Sequence, residues 1–354
     1  MIRVGFSAMM SAIMIIILII MIPINAYADS NISISNDYDY NIVGYDLRTQ
    51  SYINTDFSDK ENDAISDKIR SGSVYIDDYS MKNRAIIGED NRVKANVNDS
   101  LTWGSALVIT KYSKDMFKCS SSLIAKNVLL TAAHCVTNIE NNLENAEYVT
   151  VYPGRSDGNM PTGFYEVTQF YILNGWKNKN GIANYKYDIA LMIIAPDEDN
   201  KYPTDYGAPT YGYGVYNDDN LNKSGVVAFG YTGDKDAENG TLDVMYSMLN
   251  GLISTDSKDY YDFNKAIKSN ILTGIHSSEN TLMHTLDTTQ GSSGAGLIKT
   301  NSEAIIVGVN SRECPRNNSN FDCINSSGRG VMNTAVRINN DIYDFINSVV
   351  DKNK

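Results

Sequence analysis

Basic charge, proline, tryptophan and cysteine are all scarce in this chain of 354 residues. Thirty lysines and arginines face 42 aspartates and glutamates, for a formal charge of −12. That balance excludes nucleic acid as the main partner, because gripping phosphates needs a dominant basic face. Seven prolines beside 25 glycines exclude a collagen-like or proline-rich chain. Two tryptophans against 24 tyrosines is unusual but points to no function. The four cysteines, Cys119, Cys135, Cys314 and Cys323, lack the short pair-and-pair spacing of structural zinc, so no metal site is expected. Beyond the extreme N-terminus no apolar run approaches membrane-spanning length, and no internal repeat is evident. What is present is ordinary for a globular protein: 42% hydrophobic and 20% charged residues. At about 100–200 residues per domain, the length fits two domains or one large one.

The N-terminus carries one early cation, Arg3, then an apolar run from Phe6 to Ile22, then Asn25-Ala26-Tyr27-Ala28-Asp29. A basic start, an apolar stretch and an Ala-x-Ala site describe a secretory signal peptide cut after Ala28. A membrane anchor is the competing reading. The expected product is secreted, soluble and free of the membrane once the signal is removed. An even number of cysteines in an exported chain suggests two disulfides. Four cysteines allow three connectivities, and their order does not choose among them.

Residues 29–84 hold 11 acids, 6 bases and few apolar clusters. This composition predicts a weakly structured pro-segment ending at a protease cut after Lys82-Asn83-Arg84. The competing reading is a mobile arm that stays attached. From Ala85 onward, short β-branched runs alternate with turn-rich polar stretches: Ala106–Thr110, Asn127–Thr131, Tyr148–Tyr152, Asp188–Ile194, Val226–Phe229 and Ala304–Val309. Such runs predict the strands of an all-β protein. At the C-terminus Ile338, Ile342, Phe345, Ile346 and Val349 recur at helical spacing, with Asn339 or Asn340 as the cap. The polar stretch from Pro196 to Asn222 could connect two β-domains.

Three segments carry the chemistry. Leu129-Leu130-Thr131-Ala132-Ala133-His134-Cys135 runs from an apolar strand into a small-residue turn that presents a histidine. Tyr187-Asp188-Ile189-Ala190-Leu191 puts an acid at the mouth of a buried strand. Asp287-Thr288-Thr289-Gln290-Gly291-Ser292-Ser293-Gly294-Ala295-Gly296 is a Gly/Ser-rich turn around a serine. Each is weak alone, but together, and in the order His, Asp, Ser, they resemble the chymotrypsin/trypsin-like serine peptidases. Ile86-Ile87-Gly88-Glu89-Asp90-Asn91-Arg92, Tyr152-Pro153-Gly154-Arg155, Asn174-Gly175-Trp176 and Phe229-Gly230-Tyr231-Thr232-Gly233-Asp234-Lys235 extend the likeness towards the bacterial glutamyl endopeptidase branch. The resemblance covers most of residues 85–350.

The resemblance implies two six-stranded antiparallel β-barrels with a C-terminal α-helix: a first barrel over 85–205 with His134 and Asp188, and a second over 206–354 with Ser293. A serine hydroxyl is a poor nucleophile without a base beside it. Ser293 is therefore expected to attack, His134 to take its proton, and Asp188 to hold the imidazole. The backbone N–H groups of Gly291 and Ser293 are expected to hold the oxyanion. By the same resemblance Cys119 pairs with Cys135 beside the histidine, which leaves Cys314 and Cys323 to clip a loop near the specificity pocket. His276 and His284 lack motif context and are expected to be structural or surface residues.

Two departures matter. Trypsin-like zymogens mature when a new N-terminus pairs with an aspartate just before the catalytic serine, and here that residue is Ser292. The proline often found three residues after the serine is Gly296. Glutamyl endopeptidases bind a substrate carboxylate with a threonine or serine, matched by Thr288, and with a histidine on a later strand, where this chain has Asn310. Asp287 and Gln290 match trypsin instead, and Ala335 is expected in the pocket wall, with Arg312 or Glu313 able to reverse its electrostatics. The sequence therefore favours a Glu/Asp preference over a Lys/Arg preference without deciding, and a catalytically silent binding protein is the alternative from another class. No cofactor is expected to be required, with structural calcium left open. The partners are protein or peptide substrates, and the enzyme is expected to be a monomer. The charge of −12 divides into +1 from the signal peptide, −5 from residues 29–84 and −8 from the remainder.

Overall fold

The computed structural model describes residues 37–55, 68–73, 92–96, 98–139, 142–177, 183–221, 225–233, 242–248, 280–284, 286–299, 303–313 and 333–354. The signal segment, the stretch around Arg84, the Ile86-Ile87-Gly88 start, His276, Cys314 and Cys323 lie outside the described residues.

Four short strands come first: β1 (Ile42–Asp46), β2 (Ser51–Ile53), β3 (Ile69–Arg70) and β4 (Val93–Lys94). Then follow β5 (Ser105–Lys111), β6 (Met116–Ala125), β7 (Val128–Thr131), the small hairpin β8 (Thr137–Asn138) and β9 (Glu144–Asn145), β10 (Tyr148–Pro153), β11 (Tyr165–Leu173) and β12 (Ala190–Ile194). Strands β5, β6, β7, β12, β11 and β10 are antiparallel neighbours in that order, and β10 pairs with both β5 and β11. The sheet therefore closes into a six-stranded barrel, with β10 meeting β11 only at Tyr165 and Glu166. β7 and β12 are apolar at nearly every position because both of their faces are buried.

The second sheet is built from β14 (Gly225–Tyr231), β15 (Leu242–Met248), β16 (Thr281–His284), β17 (Gly296–Lys299), β18 (Ile305–Glu313) and β19 (Asn333–Arg337), in the order β16-β19-β18-β17-β14-β15. These six strands fit the expected second barrel; among the described residues no pairing joins β15 to β16. The connecting stretch contributes β13 (Gly212–Gly214), which lies parallel to β18 and antiparallel to β3. Residues Tyr38–Lys354 form one compact unit.

The two sheets meet along Ser120-Ser121-Ser122 of β6, all buried. Small side chains let a strand pass this close to its neighbour, and their hydroxyls satisfy backbone groups that would otherwise be buried without partners. Ser122 Oγ accepts the Gly296 N–H at 3.2 Å. The C-terminal helix, Asn340–Lys352, starts as expected: Asn339 Oδ1 accepts the Ile342 N–H at 2.9 Å. It buries Ile342, Phe345, Ile346, Val349 and Val350. Among the described residues no helix is long and apolar enough to cross a membrane.

The polar N-terminal stretch holds more structure than its composition predicts. β1 pairs with β11 over five residues, from Ile42 opposite Leu173 to Asp46 opposite Gln169, and Tyr40, Tyr45 and Leu47 are buried. The apolar run Ile42–Tyr45 is only four residues long, so its stability comes from tertiary pairing and not from its own pattern.

Candidate active site

His134 sits in a 3₁₀ turn, Ala133–Cys135, at the end of β7. Ala132 and Ala133 are wholly buried, so only small residues fit beneath the turn. A disulfide joins Cys135 to Cys119 on β6, with the Cα atoms 6.0 Å apart, as the resemblance implied. Asp188 ends another 3₁₀ turn, Tyr185–Tyr187, immediately before β12.

The two side chains meet. Asp188 Oδ1 accepts the His134 backbone N–H at 2.9 Å, and Oδ2 accepts the Nδ1–H of the ring at 2.7 Å. A third donor, the hydroxyl of Ser311, reaches Oδ2 at 2.6 Å. The carboxylate is fully buried, so each donor stands in for lost water. Burial alone would lower the His134 pKa, but the charge of Asp188 and its hydrogen bond outweigh that and raise it above the ordinary value.

Ser293 lies in the turn before β17. Its Oγ is 3.5 Å from the Ser311 carbonyl, and no hydrogen bond to His134 is present among the described residues. The turn depends on two glycines with positive φ. At Gly291 (φ +100°) a Cβ would lie 2.5 Å from the Tyr231 carbonyl, and at Gly294 (φ +86°) it would lie 2.2 Å from the Ser120 carbonyl. Neighbouring backbone groups are paired: Ser292 N–H with Thr289 O at 3.0 Å, Gly294 N–H with Asn310 O at 2.8 Å, and Gly233 N–H with Gln290 O at 2.6 Å. The Gly291 and Ser293 N–H groups have no acceptor among the described residues. Ser292 Oγ accepts the Thr289 N–H at 3.1 Å, so the position of trypsin's activation aspartate is engaged locally.

Ser120 ties this turn to the first barrel. Its Oγ donates to the Gly291 carbonyl at 2.8 Å and accepts the Tyr231 N–H at 2.8 Å, while its own N–H donates to the Ser293 carbonyl at 2.7 Å.

His134, Ser293 and Ser311 open on one cleft of about 230 Å³, which Thr288, Gln290 and Asn310 also line. Asp287 and Ala335 are not among its lining residues; Ala335 is buried on β19 opposite Asn310. Asn310 is held on both sides: its Nδ2 donates to the Ser292 carbonyl at 3.1 Å, and its Oδ1 accepts from His284 Nε2 at 3.1 Å. His284 is buried as a structural residue, and burial lowers its pKa to about 4 despite the opposing bond to Asn310. The side chains of Arg312 and Glu313 lie outside the described residues. Ser311 and Ser120 were not singled out in the sequence. Each stands next to a residue that was, Asn310 and Cys119, and nothing local distinguishes them.

Among the described residues one group of His, Cys, Asp or Glu side chains is close enough to hold a metal: Cys119, His134 and Cys135. It does not fit one. The two sulfurs are joined in a disulfide and offer no thiolate, and His134 Nδ1 already serves Asp188.

The family model described as Trypsin matches residues 93–325, about two thirds of the chain. Among solved structures, a Glu endopeptidase in complex with MPD is similar at 23% identity and TM-score 0.53, covering 75% of this chain and 99% of its own. The protease Anisep from Arthrobacter nicotinovorans is similar at 17% identity and TM-score 0.50, covering 72% of this chain and 98% of its own. At these identities the likeness is one of fold. A curated relative, the extracellular metalloprotease of Bacillus subtilis (strain 168), is 29% identical over 115 residues. That match spans 32% of this chain and 36% of the relative. Its name describes that protein; no metal-binding set corresponding to it occurs among the described residues here. The His, Asp and Ser segments, the closed first barrel and a family model spanning most of both sheets lead to one conclusion: this chain belongs to the trypsin family of serine peptidases.

Proposed function

We propose that the chain is a secreted serine endopeptidase, made as a proenzyme, that hydrolyses peptide bonds through an acyl-enzyme. The observation that carries this reading is the buried Asp188 carboxylate bonded to His134 in the same cleft as Ser293. With its Nδ1–H given to Asp188, His134 keeps its Nε2 lone pair for the Ser293 proton. The serine hydroxyl turns from the Ser311 carbonyl towards the ring as substrate enters, since such bonds tighten only in the complex. Ser293 Oγ then attacks the peptide carbonyl. The Gly291 and Ser293 N–H groups hold the oxyanion. His134 returns the proton to the leaving amine, and water releases the acyl group by the same path in reverse. Asp188 holds the imidazolium.

For the residue before the cut we propose a glutamyl endopeptidase-like preference. The cleft lining offers hydroxyl and amide donors at Thr288, Gln290 and Asn310, and the Arg92 guanidinium donates to Thr289 Oγ1 at 3.0 Å. Asp287, which a Lys/Arg preference would need in the cleft, is not part of that lining. The rest of the proposal follows the sequence: signal peptide 1–28, pro-segment 29–84, a His/Asp barrel to residue 205 and a Ser barrel with its helix beyond, acting as a monomer on proteins or peptides without a required cofactor.

The test is a panel of fluorogenic peptides differing only at the residue before the cut, given to the wild type and to Ser293→Ala. Cleavage after Glu, lost in Ser293→Ala by several orders of magnitude, is the expected result. Cleavage after Lys or Arg instead would overturn the glutamyl preference. Unchanged activity in Ser293→Ala would overturn the serine mechanism.

A further inference from the structure

The stretch expected to be discarded on maturation is built into the catalytic body. β11 is longer than its barrel partner on one side: β10 covers it only at Tyr165 and Glu166. β1 takes over on that same side from Gln169 to Leu173, and Leu47 N–H to Thr168 O and Asn174 N–H to Asn41 O extend the pairing at both ends. Without β1, this length of β11 would present an open edge, the condition that barrels otherwise abolish. A second anchor lies on the C-terminal helix. Arg70 on β3 donates to Tyr213 Oη at 3.1 Å, Asn347 Oδ1 at 3.0 Å and Asp351 Oδ1 at 3.2 Å, and Lys68 reaches Asp344 at 3.4 Å. The last three partners all belong to the C-terminal helix.

The N-terminal stretch also touches the turn that carries Asp188. The Tyr40 ring packs edge-on against Tyr187 with centroids 5.2 Å apart, and Tyr187 Oη donates to Asp39 at 3.5 Å. Tyr40 Oη is itself held by Asn280 Oδ1 at 3.1 Å. The turn Tyr185–Tyr187 is closed by Tyr187 N–H to Asn184 O at 2.9 Å and by the longer Asp188 N–H to Tyr185 O at 3.4 Å, and Tyr40 packs against the ring of its last residue. No residue of 37–55 or 68–73 lines the cleft, so the segment does not plug it.

We infer that residues 37–55 and 68–73 remain bound to the working enzyme after the maturation cut, and that Tyr40 is a positioning residue that sets Asp188 through Tyr187. This rests on the serine-peptidase reading only for its kinetic arm.

The full chain is expressed with its leader and collected after maturation. Native size-exclusion chromatography is followed by mass spectrometry under denaturing, non-reducing conditions. The expected result is that the cut segment carrying residues 37–55 and 68–73 co-elutes with the catalytic body in equal amounts. A mature, folded protein lacking residues 37–55 would overturn the inference, and this readout needs no activity. In the kinetic arm, Tyr40→Ala is expected to lower kcat by about tenfold to a hundredfold with KM little changed. It should also move the acid limb of the pH profile downward, as the grip of Asp188 on His134 loosens, while Tyr40→Phe, which keeps the ring, stays near wild type. Wild-type kcat and pH profile in Tyr40→Ala would remove the positioning role. An enzyme insensitive to Ser293→Ala would instead count against the mechanism and leave the retention result standing.

Discussion

In the first barrel, His134 and Asp188 are joined by hydrogen bonds of 2.9 and 2.7 Å, and a disulfide ties the histidine turn to β6. In the second sheet, the Ser293 hydroxyl reaches only a carbonyl 3.5 Å away, and its turn is held both by its own sheet and by Ser120 of the other. The first half is assembled largely by its own strands. The second is held in addition by contact across the boundary, chiefly through Ser120 on β6. The dependence is mutual to one atom: Ser311 of the second sheet completes the shell of Asp188. A site divided this way is complete only when the two sheets dock, so the N–H groups proposed as oxyanion donors are oriented by folding and not at the moment of reaction.

The largest effect expected from testing this contrast is within the first half. Asp188→Asn should lower kcat by about 10⁴-fold, since an amide cannot hold the same imidazole tautomer. The reaction needs a neutral imidazole, and Asp188 raises the His134 pKa above 6.5. Wild-type kcat/KM should therefore fall as pH drops through a value above 6.5, and the limb should shift to lower pH in the variant. A limb that did not move would mean that Asp188 does not govern His134.

Next in size is a substitution in the first barrel that should be felt in the second. Ser120→Ala leaves the Gly291 carbonyl and the Tyr231 N–H without their partner. We expect kcat to fall by about tenfold to a hundredfold, with the His134 limb unchanged and KM little altered. If rate and limb both stayed at wild type, the second half would be self-supporting and the contrast would fail.

The last effect concerns stability. His284 braces Asn310 from beneath, with a folded pKa of about 4 against an ordinary 6.5. Above pH 6.5 it is neutral whether the chain is folded or unfolded. As pH falls from there to about 4, the unfolded chain takes a proton that the folded chain refuses, and stability drops by about 3 kcal/mol. Denaturant melts at pH 7 and pH 4.5, compared between wild type and His284→Gln, isolate this contribution. Equal pH slopes in the two proteins would mean that His284 is not the group responsible.

Local pattern was enough for much of this. The runs at Ala106, Asn127, Tyr148, Val226 and Ala304 became strands, because β-branched runs bounded by turn residues fit few other conformations. The C-terminal helix starts at its expected cap for the same local reason. Asp188 itself stands just before β12, in the turn that aims it. Other features have no local signature. Ser120 is an unremarkable strand serine until Gly291 is folded against it, and Ser311 resembles any other residue of β18 until Asp188 arrives 123 positions away in sequence. β1 was illegible because four apolar residues in an acidic stretch become a strand only where β11 offers an uncovered edge.

By itself, then, the amino-acid order determined the β-rich class, the terminal helix and the His, Asp and Ser segments in their family sequence, since each is written in residues that touch one another along the chain. Only the tertiary structure decided that serines from opposite sheets complete each half of the site, and that the N-terminal stretch pairs with the edge of β11. Those outcomes depend on which backbone groups are left without partners after the strands have paired, a quantity that exists only once the chain has folded.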